Sequence, residues 1–253
     1  MQKALVIPNT GIGRRRTLLS RRERSELIRD RIMSNAALIF FQKGYVATSL
    51  EDIAKASGVN KATIYYYFKA KSKLLYEICT RGMNSILDVA QPGASSDLPA
   101  EKKLQILVTS HIQLQIARKG FTGLGAVEVR DLPKRLRTQY VSMRDEYEAL
   151  FRKVLKEGVE QGRFAPMNFR LGSLFLLGFL NSIIQWYNPK GELTAEEIVT
   201  QAFRFILSGL GAGELQAEYN PAQNPNQERV RKQKLGLPGD LVVAKTRKGI
   251  LER

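Results

Sequence analysis

Apolar residues recur along this chain at three- and four-residue steps, and no stretch alternates apolar and polar positions long enough to specify a strand. From about Arg22 to Lys43, the residues Leu27, Ile28, Ile32, Ala36, Ile39 and Phe40 fall on one side of a helix. Gly44 follows, where a left-handed C-terminal cap is expected. Thr48-Ser49-Leu50-Glu51 reads as a capping box, with the Thr48 hydroxyl on an early backbone N–H and Glu51 reaching back. A short helix to about Ala56 then buries Leu50, Ile53 and Ala54. Ser57-Gly58-Val59 makes a tight turn, and Asn60 is a suitable N-cap for a second short helix that ends at Phe68. A longer helix starts at Lys71-Ser72-Lys73 and carries Leu74, Leu75, Ile78, Met83, Ile86 and Leu87 to about residue 89. The segment Gln91 to Asp97, with Pro92 and Gly93, predicts a break. Five more helices are expected over about 99–118, 121–130, 134–161, 168–187 and 194–209, punctuated by Pro133, Gly162, Pro166, Pro189 and Gly191.

The pattern divides the 253 residues into four parts. Residues 1–21 read as a flexible basic arm, 22–89 as a small helical domain and 97–212 as a larger helical domain. Residues 213–253 read as a basic, disordered tail, polar from Asn220 to Gln227. The fold class is all-α. Leu171 to Ile184 carries no charge, but its 14 residues fall short of the roughly 20 that span a bilayer. A buried helix without membrane contact is therefore expected there. The residues after Met1 do not read as a secretory signal, and a cytoplasmic location is expected.

Charge sharpens this division. The chain holds 40 Lys and Arg against 24 Asp and Glu, a net +16. Residues 1–30, 31–87 and 226–253 each carry +5, whereas 88–225, over half the chain, carry +1. A basic first third joined to a neutral body suits a polyanion-binding module attached to a partner-binding one. The single cysteine, Cys79, and single histidine, His111, exclude an internal disulfide, a multi-thiolate zinc site and a His-rich metal site. No cofactor is expected, and His111 reads as a packed or solvated helix residue. Residues 88–225 offer no nucleophile with a base and no clustered carboxylates, which argues against an enzyme acting on DNA.

Two short helices joined by a glycine turn form a helix-turn-helix, whose second helix enters the DNA major groove and meets base edges with its first residues. Those residues are Asn60, Lys61, Ala62 and Thr63. Lysine donates to guanine acceptors, and alanine or threonine methyls contact the thymine methyl. Tyr65, Tyr66 and Tyr67 fan out over about 200° of the helix, so at most two face DNA while another covers the core. Phenol hydroxyls, Lys69, Lys71, Thr48 and the helix start at Ser49 are candidate phosphate contacts.

These residues resemble a known signature. Gly44-Tyr45-x-x-Thr48-Ser49-x-x-x-Ile53-Ala54-x-x-x-Gly58-Val59-x-Lys61-x-Thr63-x-Tyr65-x-Tyr67-Phe68-x-x-Lys71 is similar to the DNA-binding motif of the tetracycline-repressor (TetR) family, and residues 26–86 align with that family's DNA-binding domain. Ser57 stands where the family usually has alanine, and Asn60 where it usually has serine. The resemblance implies a homodimer with an N-terminal helix-turn-helix and a C-terminal ligand-binding and dimerisation domain. It implies that the last two helices pack against their copies as a four-helix bundle, that the dimer binds a palindromic operator, and that a small molecule releases it.

A looser resemblance concerns the effector. Arg144-Asp145-x-Tyr147-Glu148, Glu157-Gly158-x-x-x-Gly162-x-Phe164, and Asn181 with Trp186-Tyr187 resemble a TetR branch that senses acyl-coenzyme A thioesters. Such a ligand needs an apolar tunnel and cations for its phosphates. Phe121, Phe151, Phe175, Phe179 and Trp186 are candidates for the tunnel, Arg144 for a phosphate, and Asn181 for a polar contact. Ordinary core packing for the apolar residues, and a surface ion pair of Arg144 with Asp145 or Glu148, stay open. The expected function is a ligand-responsive repressor. The rivals are an activator of the same fold and a protein that coats DNA without sequence preference.

Overall fold

The computed structural model describes residues 20–124 and 128–211; the expected arm and tail, but for Ser20 and Arg21, lie outside the described residues. Among the described residues there are nine α-helices and no strand. They are α1 (Arg21–Lys43), α2 (Leu50–Ser57), α3 (Lys61–Tyr67), α4 (Lys71–Ala94), α5 (Ala100–Ala117), α6 (Lys119–Thr122), α7 (Lys134–Glu160), α8 (Phe169–Trp186) and α9 (Ala195–Gly209), with a short 3-10 turn at Glu128–Asp131. The start of α1 is a full capping box. The Ser20 hydroxyl accepts from the Glu23 N–H at 3.1 Å, and the Glu23 carboxylate accepts from the Ser20 N–H at 2.7 Å.

Two expected boundaries differ. The break at 91–97 begins later, because α4 continues through Pro92 to Ala94. Pro92 sits in the last turn, where its missing N–H removes one rung of the ladder and no following turn suffers. Over the expected 121–130 helix, the described residues show the end of the single turn α6, helical backbone at Leu124 and the 3-10 turn, and residues 125–127 lie outside those described.

Ile32, Met33, Ala36 and Phe40 of α1 close over Ile53, Ile64, Phe68, Leu74, Leu75 and Ile78, giving the N-terminal helices their core. In the larger part α5 is the central element, packed by α4, α7, α8 and α9. It is buried around most of its circumference, polar residues included: Thr109, Ser110, His111 and Gln115 are all inside.

The two parts meet along α4, which packs on α5 and α7, and at α6, which packs against both α1 and α4. Gly82 permits this, since a Cβ there would stand 2.5 Å from the main-chain oxygen of Phe121. Arg118 donates to the Ser85 hydroxyl at 2.8 Å, and Arg81 pairs with Asp30 at 2.6 Å while lying over the Phe121 ring.

Helix α8 is not covered on all sides within one chain. Ser173, Leu176, Leu180 and Ile183 face inward, but Leu171, Leu174, Phe175 and Trp186 stand exposed. By length and composition alone α8 could cross a bilayer. Its inner stripe is instead packed on α5 and α7.

Candidate nucleic-acid interface

The first short helix is capped one residue later than the spacing suggested. Ser49, not Thr48, is the N-cap: its hydroxyl accepts from the Asp52 N–H at 3.1 Å, and Asp52 Oδ2 accepts from the Ser49 N–H at 3.0 Å. The Ser49 N–H and hydroxyl hold the Asp52 carboxyl below its ordinary pKa. Thr48 is buried, and its hydroxyl donates to the Gly44 carbonyl at 2.8 Å. Its side chain therefore closes the loop before α2. Gly44 itself takes φ 84°, ψ 154°, outside the left-handed helical region expected of it.

Between the helices, Gly58 adopts φ 60°, ψ 40°, a left-handed conformation that side chains resist. The chain thereby leaves α2 in a tight turn, and Asn60 caps the start of α3. The Asn60 Oδ1 accepts from the Thr63 N–H at 2.7 Å and from the Thr63 hydroxyl at 2.8 Å, so both side chains are engaged in the cap. Lys61, Ala62, Tyr65 and Tyr66 are exposed along α3, and Lys69 is exposed just beyond it. Lys61 Nζ donates to Glu51 Oε2 of α2 at 3.0 Å, a bond that raises the lysine pKa.

Two candidates for DNA contact are occupied internally. Tyr67 is half-buried, its hydroxyl 2.9 Å from Ser25 Oγ of α1. Lys71 donates to the carbonyls of both Tyr45 and Thr48 at 2.8 Å and lies 4.2 Å above the Tyr45 ring. Of the eleven residues suggested by the sequence, Ser49, Asn60, Lys61, Ala62, Thr63, Tyr65, Tyr66 and Lys69 thus lie on or beside the accessible side of α2 and α3. Thr48, Tyr67 and Lys71 hold it together. The sequence reading missed Glu51 as a partner of Lys61; two consecutive acids at the start of α2, where a cap uses one, were the available signal.

The candidate effector residues do not converge. Phe151 is fully buried against Tyr147, with ring centres 5.4 Å apart. Phe121 sits in the junction at α6, and Arg144 is exposed on α7. Phe175 and Phe179 line an apolar groove of about 420 Å³ with Leu171, Phe205 and Leu210, on the outer side of α8 and α9. Trp186 and Phe179 line a second of about 270 Å³, beside Phe205. Asn181 belongs to an inner polar network. Gln115 Nε2 donates to Asn181 Oδ1 at 3.0 Å and to His111 Nε2 at 2.8 Å, which places the imidazole proton on Nδ1, 3.0 Å from the Tyr147 hydroxyl. Burial pushes the His111 pKa down to about 4 and the Tyr147 pKa up. His111, expected as a packed or solvated helix residue, is packed, and Gln115 lies one helical turn away on the same face.

An all-α chain whose N-terminal helix-turn-helix presents a basic, tyrosine-rich second helix has the architecture of a DNA-binding regulator. Similarity to known proteins narrows the class. Residues 32–78 match the bacterial regulatory proteins of the tetR family, and residues 97–210 match the tetracyclin repressor-like C-terminal domain. The chain is similar to the HTH-type transcriptional repressor KstR2 of Rhodococcus jostii, 27% identical over 186 residues that cover 73% of this chain and 91% of KstR2. It is also similar to the solved TetR family regulator PfmR of Thermus thermophilus, 31% identical, with a TM-score of 0.67 covering 72% of this chain and 99% of PfmR. AibR, solved in complex with isovaleryl coenzyme A and operator DNA, shares the fold at 22% identity, with a TM-score of 0.65 covering 73% of this chain and 98% of AibR. The chain belongs to the tetR family of bacterial regulatory proteins, and it is a transcriptional regulator, not an enzyme.

Proposed function

We propose that this protein is a cytoplasmic, ligand-released repressor that binds a near-palindromic operator as a homodimer. The observation that carries the reading is the pairing of an exposed reading helix with an uncovered apolar face at the other end of the chain. Phe175 is 70% exposed and Phe205 68% exposed on neighbouring helices, a contiguous apolar area that a second copy would bury. Two-fold symmetry about α8 and α9 would then present two α3 helices to half-sites one helical turn apart. Similarity to KstR2, itself a repressor, supports repression over activation.

The effector we propose is an acyl-coenzyme A thioester. The fold accommodates such a ligand in AibR, and the Asn181 and Trp186-Tyr187 pattern favours the same class here. Release requires that the thioester bind the DNA-incompetent form more tightly; equal affinity for both forms would shift nothing. Helix α4 with α6 is the proposed lever, since they join the reading helices to the body. The test is a titration of the protein–operator complex with acyl-coenzyme A thioesters of graded chain length. At least one should dissociate the complex at micromolar concentration while free coenzyme A does not. Retention of the complex with every thioester would refute the effector class.

A further inference from the structure

Glu51 takes no part in the cap of α2, although it adds an acid to that helix's first turn. The carboxylate that closes the cap of α2 is Asp52, bound to both the N–H and the hydroxyl of Ser49. The Glu51 side chain stands 74% exposed and touches Lys61, with Oε2 at 3.0 Å from Nζ. An exposed ion pair contributes little to folding. On a surface that approaches a polyanion, an acid also opposes binding unless it gains something specific.

The geometry supplies what it gains. Within a G·C pair the guanine O6 and cytosine N4 are themselves held at hydrogen-bond distance, about 2.9 Å. In the major groove O6 remains an acceptor and N4 keeps a free donor. Lys61 and Glu51 present the complementary donor and acceptor at matching separation. The ammonium, having given one N–H to Glu51, keeps two: one reaches O6 and the other N7, where thymine would offer a methyl group.

We propose that Glu51 and Lys61 read one G·C pair as a unit, Lys61 donating to guanine O6 and N7 and Glu51 accepting from cytosine N4, so that Glu51 is a specificity-determining residue. The pair fixes the orientation of the base pair, because a reversed C·G would set donor against donor. This inference rests on the proposed entry of α3 into the major groove.

The experiment is selection from a random duplex library with the full-length protein, its Glu51→Ala and Lys61→Ala variants, and the double variant. The wild type should enrich a motif with one strongly preferred G·C per half-site. Glu51→Ala should lower the preference at that position about tenfold, leave the other positions intact, and bind random DNA more tightly. The double variant should lose no more at that position than Lys61→Ala. An unchanged preference in Glu51→Ala would overturn the proposal, as would an equal loss at every position. A wild type that enriches no sequence would overturn both this inference and the DNA-reading assignment beneath it. Unchanged thermal melting of both single variants, expected for exposed side chains, separates reading from folding.

Discussion

The ammonium of Lys71 donates to the Tyr45 carbonyl at 2.8 Å and lies 4.2 Å above the ring of the same residue. With a second bond to the Thr48 carbonyl, it ties the first turn of α4 to the loop that leads into α2. Lys71→Met keeps the aliphatic stem and abandons both carbonyls. The expected cost is about 2 kcal/mol, read as a lower urea midpoint, with weaker DNA binding as a consequence. A purely phosphate-binding lysine would behave differently: stability would hold, and the salt slope of DNA binding would fall by about one.

The adjacent tyrosines should separate by the same logic. Tyr66 is 72% exposed, whereas Tyr67 meets Ser25 across to α1. Tyr66→Phe should weaken DNA binding severalfold and leave the melting temperature unchanged. Tyr67→Phe should cost about 1 kcal/mol of stability through the lost hydrogen bond, measured by chemical denaturation.

Gly82→Ala probes the junction. The added methyl group would meet a main-chain oxygen, that of Phe121, which cannot rotate away as a side chain would. The expected loss is about 1–3 kcal/mol. At about 2–4 °C per kcal/mol for a chain of this size, calorimetry should resolve it. If α6 transmits the effector signal, the variant should also show altered release from DNA at unchanged ligand affinity.

His111 makes the stability pH-dependent in a defined window. Its folded pKa, about 4, lies below the unfolded value of 6.5, so the unfolded chain binds the proton first as pH falls. The stability it contributes is complete above pH 6.5, declines as pH drops toward 4, and is then exhausted. The full span is about 3 kcal/mol. As the sole histidine, it can be isolated by comparison with His111→Gln, whose stability should decline less between pH 6.5 and 5. Parallel pH profiles for the two proteins would contradict this.

Helix existence was readable almost throughout, because three- and four-residue apolar spacing reports which side of a helix is buried. It does not report what covers that side. Phe151 and Phe175 look alike in the sequence, yet one is enclosed beside Tyr147 and the other is 70% exposed on α8. The expected tunnel residues scattered for that reason. Boundaries failed where two signals competed, as at Thr48 and Ser49, where either hydroxyl could cap and the neighbouring acid decided. Pro92 misled because its helix-breaking effect depends on how much helix remains beyond it. The exposed positions of α3 were more legible, since the motif fixes both the turn and the solvent side of that helix. The occupied side chains of Tyr67 and Lys71 required the packing against α1 and the preceding loop.

Sedimentation analysis tests the central claim most directly. The wild-type chain, 28.5 kDa, should sediment at twice that mass. The Phe175→Glu, Phe205→Glu double variant should sediment as a folded monomer whose operator affinity is at least a hundredfold weaker. A wild type that is strictly monomeric at concentrations where it grips DNA, or a double variant that still pairs, would contradict the account.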